Sequence, residues 1–345
     1  MTPLFWQHIL SIDPSGSRFR ELIEALGTSY LDPIATLISD KTITDSDRKK
    51  LARIDPRKVA AVMESGVEIL SREQLGANYQ QAIGTAPVLF CAGDKRPFDM
   101  PMVAIVGTRK ATTYGRAAAS KFAEVLARSG VCVVSGGAFG IDTAAHEGAL
   151  IGGGPTLAVL GTGIDIVYPA ANAGLFQQIK QNGCLVSQFA IGTPSLQQHF
   201  LHRNYTVAAM ADCVLVIEAP EKSGALSTAR HAAELGKEVF VVPGPITLES
   251  FRGSHSLVRD GAQLTDHPSQ ILESLGLKEL TGFEPESLGG IQEEILDVLS
   301  EQPLSSEKIA EILGLEPAEV MNELTMLELD GLIIRAPAGY ARKPR

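Results

Sequence analysis

The 345-residue sequence is 45% hydrophobic and carries 30 Lys and Arg against 40 Asp and Glu, a net charge of −10. That length suffices for two or three domains with substantial cores. No run of about 18 apolar residues exists, so no membrane span is expected. The start, Met1 to Trp6, lacks the basic and apolar regions of a signal peptide. The four cysteines (Cys91, Cys132, Cys184, Cys213) are scattered without metal-ligand spacing, and Cys132 and Cys213 stand beside β-branched runs as small hydrophobes. A reduced, cytoplasmic setting without bound metal is expected. The acidity is local. Residues 1–100 and 101–275 each hold 12 Lys and Arg against 13 Asp and Glu, a net −1, whereas residues 276–345 hold 6 against 14, a net −8. The near-neutral middle leaves room for a local basic groove.

Along the chain, short apolar-periodic stretches divided by Pro14, Gly27, Pro33 and Pro56 predict a small helical, SAM-like domain over residues 1–75. Asp55-Pro56 opens one of its helices, and Gly66 closes it. Over residues 76–275 apolar, β-rich runs alternate with helical segments. Strands are predicted at Val88–Phe90, Met102–Val106, Val131–Ser135, Thr156–Leu160, Cys184–Ser187, Cys213–Ile217 and Glu238–Val242. Helices are predicted at Gly115–Ser129, Gly140–Leu150, Ala173–Gln181 and Leu226–Leu235. Continuous apolar strands alternating with helices imply an α/β fold, a doubly wound, Rossmann-like, mostly parallel sheet covered on both faces. Residues 276–290 read as a linker. Helical periods at Ile291–Leu299, Ser306–Leu313 and Pro317–Leu329, then a hairpin from Leu332 to Arg342, predict a winged-helix-like domain over 291–345.

Five segments carry candidate chemistry. After the strand Val103–Val106, Gly107 lets backbone approach an anion, Thr108 offers a hydroxyl and Arg109 a bidentate phosphate ligand; a plain βα turn with an exposed arginine is the bland alternative. In Ser135-Gly136-Gly137-Ala138-Phe139-Gly140-Ile141-Asp142, a strand enters a glycine cluster at a helix start, where free amides and the dipole favour an anion. The Asp142 carboxylate would repel phosphate and suits a structural role. This run is not G-x-G-x-x-G, and no Walker lysine motif occurs, so no nucleotide cofactor is expected. In Phe200-Leu201-His202-Arg203-Asn204 a ring able to stack on a base stands beside a cation and an amide; alternatively Phe200 is core and Arg203 a surface charge. Lys222-Ser223-Gly224-Ala225 opens another helix after a strand. Three such turns at one sheet edge would form a multi-phosphate groove suited to a polymer backbone. Arg252-Gly253, after Pro243-Gly244-Pro245, reads as a structural loop or a backbone contact.

These segments, in this order, resemble the DNA-processing protein A family (DprA, also called Smf). The resemblance covers about residues 80–275. It includes Gly107-Thr108-Arg109, Ser135-Gly136-Gly137 with Gly140-Ile141-Asp142, Gly161-Thr162-Gly163 with Tyr168-Pro169, Arg203-Asn204, Ser223-Gly224-Ala225 with Thr228-Ala229, and Val242-Pro243-Gly244. It implies an extended Rossmann-type domain that binds single-stranded DNA, a homodimer, and handover of incoming DNA to the RecA recombinase in natural transformation. By resemblance, Arg109 is the principal phosphate ligand beside Thr108 and the Gly136 and Gly137 amides. Phe200 stacks on a base, and Arg203 and Asn204 hold the backbone or shape the pocket. Leu201 replaces a proline usual in the family, Tyr205 a basic residue, Gln188 an acidic one and Ser254-His255 a cysteine-asparagine pair.

Three rival readings compete. The sheet also resembles nucleoside-phosphate hydrolases of the lysine-decarboxylase-like group, which carry a catalytic glutamate after a glycine-rich turn. Here Ser223 to Arg230 contains none, Glu234 lies a full turn further on, and His146-Glu147 lacks further partners, so no catalytic residue is expected. The winged helix could read DNA through Pro317–Leu329. With Val320, Leu324 and Leu327 facing the core, its outer face shows Glu319, Asn322, Glu323 and Glu328 without Lys or Arg, which a phosphate backbone repels. That domain suits protein binding, dimerisation or masking of the groove. The third reading is a nucleotide-sensing module without catalysis.

Overall fold

The computed structural model describes residues 2–19, 23, 37, 40–278, 291–299, 303–329, 332–336 and 339–342. Two compact units divide the chain, Met1–Glu279 and Leu280–Arg345. The strands of the first are β1 (Val67–Ser71), β2 (Val88–Gly93), β3 (Met102–Val106), β4 (Cys132–Ser135), β5 (Thr156–Val159), β6 (Cys184–Ser187), β7 (Cys213–Val216), β8 (Glu238–Val241) and β9 (Gln263–Leu264). They form one nine-stranded sheet in the order β1-β2-β6-β5-β4-β3-β7-β8-β9. β2 pairs antiparallel with β1 and β6, and every other neighbouring pair is parallel. The helices of this unit are α1 (Pro3–Ile12), α2 (Asp45–Leu51), α3 (Pro56–Glu64), α4 (Gly76–Gln81), α5 (Thr113–Arg128), α6 (Ile141–Ile151), α7 (Ala173–Asn182), α8 (Gln197–Met210), α9 (Gly224–Glu234), α10 (Arg252–Arg259) and α11 (Pro268–Ser274).

Side chains alternate across a strand. In β3, Met102, Ala104 and Val106 join one core layer and Val103 and Ile105 the other, all buried. Both faces are therefore covered, which is why the parallel strands read as unbroken apolar runs. α4, α8 and α9 cover one face. α5, α6 and α11 cover the other over β3, β4, β7 and β8, and α7 with α1 and α3 continues that layer over β2, β5 and β6. Gln7 of α1 fastens the layer to the loop after β6, donating from Nε2 to Ile191 O at 3.0 Å and accepting from Ile191 N at 2.8 Å.

Several elements differ from expectation, among them the short helices α4, α10 and α11, of which α10 occupies the segment read as a loop around Arg252-Gly253. Val67–Ser71, read as part of a helical segment, is the edge strand β1, because pairing with β2 outweighs a short, mixed local pattern. β9, two residues long, was too short to register. α8 was unpredicted, since its first half is polar and no side chain caps it.

The lateral order places the functional region. From β3 the chain steps through β4 and β5 to β6, then returns to β7 on the other side of β3 and steps outward again. The carboxyl ends of β3 and β7 are thus a topological switch point, where open α/β sheets bind ligands.

In the second unit, α12 (Ile291–Val298), α13 (Ser306–Leu313) and α14 (Pro317–Leu329) pack with the antiparallel hairpin of β10 (Ile333–Ala336) and β11 (Gly339–Arg342). This is the expected winged-helix arrangement. Val320, Leu324 and Leu327 face its core as expected, with Ile295, Ile309 and Ile333. Glu319 is exposed and Glu323 is half-buried, accepting from Gln292 Nε2. The side chains of Asn322 and Glu328, and the linker beyond Lys278 as far as residue 290, lie outside the described residues. Among the described residues no helix is long and apolar enough to cross a membrane.

Candidate functional site

The loop from β3 to α5 is gripped at both ends by Glu218, just past β7. Thr108 N donates to Glu218 O at 2.7 Å. Glu218 Oε2 accepts from Thr112 N at 3.0 Å and from Thr112 Oγ1 at 2.8 Å. The carboxylate is fully buried, and Oε1 has no hydrogen-bond partner. Gly107 makes this closeness possible, because a Cβ there would lie 2.4 Å from Ile141 Cγ1 and 2.9 Å from Glu218 O. Arg109 projects from the fixed loop and is exposed. Its guanidinium carbon stands 4.8 Å from the centroid of the Phe200 ring, and it has no hydrogen-bond or ion-pair partner among the described residues.

The β4–α6 turn departs from the expected anion cradle. Asp142 Oδ2 turns back and accepts from Gly136 N at 3.1 Å and from Ala138 N at 3.4 Å. Those two amides are engaged by the protein's own carboxylate and do not face outward to receive a phosphate. The structural role read for Asp142 is the arrangement found. Burial raises its pKa, opposed by the Arg203 guanidinium, the two amides and Arg109. Arg203 lies beneath the crevice, 5% exposed, with Nη1 donating to Val159 O at 3.2 Å and standing 3.9 Å from Asp142 Oδ2. Burial pulls its pKa down, Asp142 pulls it up, and Arg109 adds to the lowering. Only glycine fits at 136, since a Cβ there would fall 1.2 Å from Arg203 Nη1.

On α8, Phe200 is half-buried, 5.7 Å between centroids from the Tyr168 ring. Asn204 Nδ2 donates to Gly224 O at 3.1 Å, tying α8 to the start of α9. Ser223 caps α9 by accepting from Ala225 N at 3.2 Å, and Lys222 is exposed beside it. The positive end of α9 thus opens at the switch point.

These groups enclose a crevice of about 680 Å³ lined by Gly107, Thr108, Arg109, Gly136, Ala138, Phe200, Arg203, Asn204, Ser223 and Gly224. Five other candidates stand outside it. Gly137 is buried behind, with Phe176 against it. Gly140 abuts Thr108 O with φ +80°, and His202 is exposed on α8 away from the crevice lining. Arg252 pairs with Glu249 at 3.7 Å. Gly253 faces a second groove of about 580 Å³ between α9 and α10. Tyr168, Lys222 and Ser195 line the crevice without having been singled out as site residues. Tyr168 and Lys222 belong to segments that carry the sequence signal, Tyr168-Pro169 and Lys222-Ser223-Gly224-Ala225, whereas no motif marks Ser195.

The family model described as DNA recombination-mediator protein A matches residues 69–276, and that of the DprA winged helix domain matches residues 282–339. Over 255 residues the chain is 41% identical to the putative DNA processing protein DprA of Mycobacterium tuberculosis, spanning 69% of this chain and 66% of that protein's length. DNA processing protein A from Streptococcus pneumoniae has a similar structure, with TM-score 0.69 and 29% identity over 79% of this chain and 98% of that one. DNA processing protein A from Helicobacter pylori, known in a single-stranded DNA binding mode, gives TM-score 0.56 and 32% identity over 61% of this chain and 95% of that one.

Proposed function

Because the chain belongs to the DNA recombination-mediator protein A family, we propose that its switch-point crevice binds single-stranded DNA and that it acts on DNA without catalysing a reaction. The observation that carries this reading is Arg109, an exposed guanidinium with no hydrogen-bond or ion-pair partner among the described residues, resting on Phe200 at the mouth of the crevice. Arg109 takes a backbone phosphate, Lys222 and the N-terminus of α9 hold a second, and the Thr108 hydroxyl adds a hydrogen bond. Sequence preference is weak, because phosphate contacts carry no base information.

The carboxylates nearby support a non-enzymatic reading. Asp142 is held by two amides, Glu218 by Thr112, and Glu234 pairs with His231 at the far end of α9. None is presented to a bound ligand as a general acid or base. The further expectations belong to the same proposal: a cytoplasmic homodimer that passes incoming DNA to RecA in natural transformation, with no nucleotide cofactor. The acidic second unit then serves partner contact or masking of the groove, not DNA recognition.

The test is fluorescence anisotropy of a labelled oligothymidine across a salt series, comparing wild type with Arg109→Ala. The exposed side chain can be removed without loss of fold. One lost charge-assisted contact, about 1.5–3 kcal/mol, predicts binding weaker by about tenfold or more. The salt slope should fall by about 0.7, one phosphate's worth for a single strand. Absence of wild-type binding at low salt would sink the DNA reading in favour of a nucleotide ligand.

A further inference from the structure

Phe200 is the ring that the family resemblance assigns to base stacking, yet its surroundings are already crowded. The Arg109 and Arg203 guanidinium carbons stand 4.8 and 5.9 Å from its centroid, Tyr168 packs at 5.7 Å, and the Gly161 backbone is so close that a Cβ there would fall 2.6 Å from Phe200 Cδ1. Two other aromatic rings at this end of the sheet are open. Phe139 is 47% exposed and Tyr168 is 42% exposed. No other phenylalanine among the described residues is as exposed as Phe139, and its ring has no aromatic or cationic neighbour among them.

The backbone holds Phe139 in place. Ala138 O accepts from Thr143 N at 3.1 Å and from Thr143 Oγ1 at 2.7 Å, and Ala138 N is engaged by Asp142. On its other side Gly140 packs against the Arg109 loop, where an added Cβ would meet Thr108 O at 2.4 Å. Phe139 therefore follows β4 immediately beside the Arg109 loop, and Tyr168 lies in the loop after β5, the strand paired with β4. An exposed phenyl ring on a rigid turn leaves apolar surface in water without any packing return inside the molecule. Every nucleobase offers a π-face that would cover it.

We infer that Phe139 and Tyr168 form an outer platform that stacks unpaired bases of the strand whose phosphates Arg109 holds. The inference rests on the single-stranded DNA reading above and extends the bound track from the β3 and β7 ends across β4 and β5.

The test uses the full chain with labelled oligothymidine and, as a second probe, an abasic strand of equal length. Phe139→Ala should weaken oligothymidine binding by about five- to a hundredfold. The salt slope should be unchanged, because no phosphate contact is lost, and the abasic strand should bind both proteins alike. Phe139→Tyr should restore affinity. In Phe139→Trp, the new indole should be quenched by oligothymidine and not by the abasic strand; the native Trp6 is 9% exposed and supplies a constant background. Equal oligothymidine affinity of wild type and Phe139→Ala, or an indole unmoved by bound oligothymidine, overturns the platform and leaves the Arg109 crevice standing. If wild type binds no oligothymidine at all, both readings fall.

Discussion

Arg203→Met removes the one cation that faces Asp142 from beneath the crevice. In the wild type Arg203 Nη1 stands 3.9 Å from Asp142 Oδ2 and donates to Val159 O at 3.2 Å, and both side chains are buried. Breaking a buried pair by deleting one partner costs about 3–5 kcal/mol, because the remaining charge is uncompensated. Asp142 retains its two amide donors and the pair is long, so the lower end applies, about 3 kcal/mol. At a urea slope of about 3 kcal/mol/M the midpoint falls by about 1 M. The chain's single tryptophan, Trp6, lies in the core shared by α1 and the sheet, so its emission follows the unfolding of this unit alone. Arg203→Met/Asp142→Asn should recover most of the loss, since an apolar stem replaces the cation and the Asn oxygen still accepts from the amides. The groups bearing on Asp142 are Arg203 and Arg109, and His146 also feels Arg203. Burial already holds the Asp142 carboxyl above its ordinary value, and losing Arg203 raises it further. The folded variant then keeps a proton that the unfolded chain releases at about pH 3.9. Its deficit against wild type should therefore be largest at pH 8 and shrink toward pH 5. A deficit below about 1 kcal/mol, or one equal in the double variant and flat with pH, would refute this account of the buried pair.

Two further outcomes follow from buried groups near the crevice. Burial, with a smaller contribution from Arg203, pulls the His146 imidazole down to about 3. Thr156 Oγ1 donates to Val133 O and so accepts from His146 Nδ1, which makes the ring neutral with its proton on Nδ1. Its contribution is whole above the unfolded value of about 6.5 and declines by about 1.4 kcal/mol per pH unit as pH falls toward the folded one. The raised Asp142 carboxyl works in the opposite sense at lower pH. Urea midpoints between pH 7 and 4 should fall less steeply in His146→Gln than in wild type; parallel slopes would assign acid lability elsewhere. Glu218→Gln weakens the grip on Thr112 by up to about 1.5–3 kcal/mol and loosens that end of the loop carrying Arg109, while the backbone bond from Thr108 N to residue 218 remains. Oligothymidine should bind several-fold more weakly. Tighter binding would mean that Glu218 acts on DNA as a repelling charge and not by holding the loop.

Much of the α/β core was legible because both-face burial writes itself into sequence as unbroken apolar runs: Met102–Val106 and Cys184–Ser187 are strands with the predicted ends. The edges were not. β1 and β9 are short, and their pairing with β2 and β8 decides their state more than their composition does. In the site, Gly107-Thr108-Arg109 was visible as a strand end followed by glycine and a cation. A structural role for Asp142 is legible, but not which groups it engages: nothing in the local sequence says that this carboxylate turns back six residues onto the Gly136 amide. Arg252 and Gly253 looked equivalent to the other turns along the chain. Their strand, β8, stands one place outward from the switch point, and α10 directs Gly253 into a different groove.

A net charge of −10 is compatible with the proposed DNA-binding crevice because net charge sums groups that a ligand never meets. Asp142, the one acid among the described residues that lines the crevice, and Glu218 behind the Arg109 loop are both buried and committed to amides or a hydroxyl, while the exposed Glu221 beside Lys222 lines the second groove. Arg109 and Lys222 are exposed at the same place and have no ion-pair partner among the described residues. The field that an approaching phosphate feels is set first by those exposed cations, because charges beyond a Debye length of about 8 Å at physiological salt are largely screened. The excess acidity belongs to residues 276–345, which hold 14 Asp and Glu against 6 Lys and Arg, and α14 there carries no basic residue. Acidity segregated into one unit and unpaired cations at the other's switch point give a single chain two faces of opposite electrostatic preference. One suits a phosphate backbone and the other a basic partner surface.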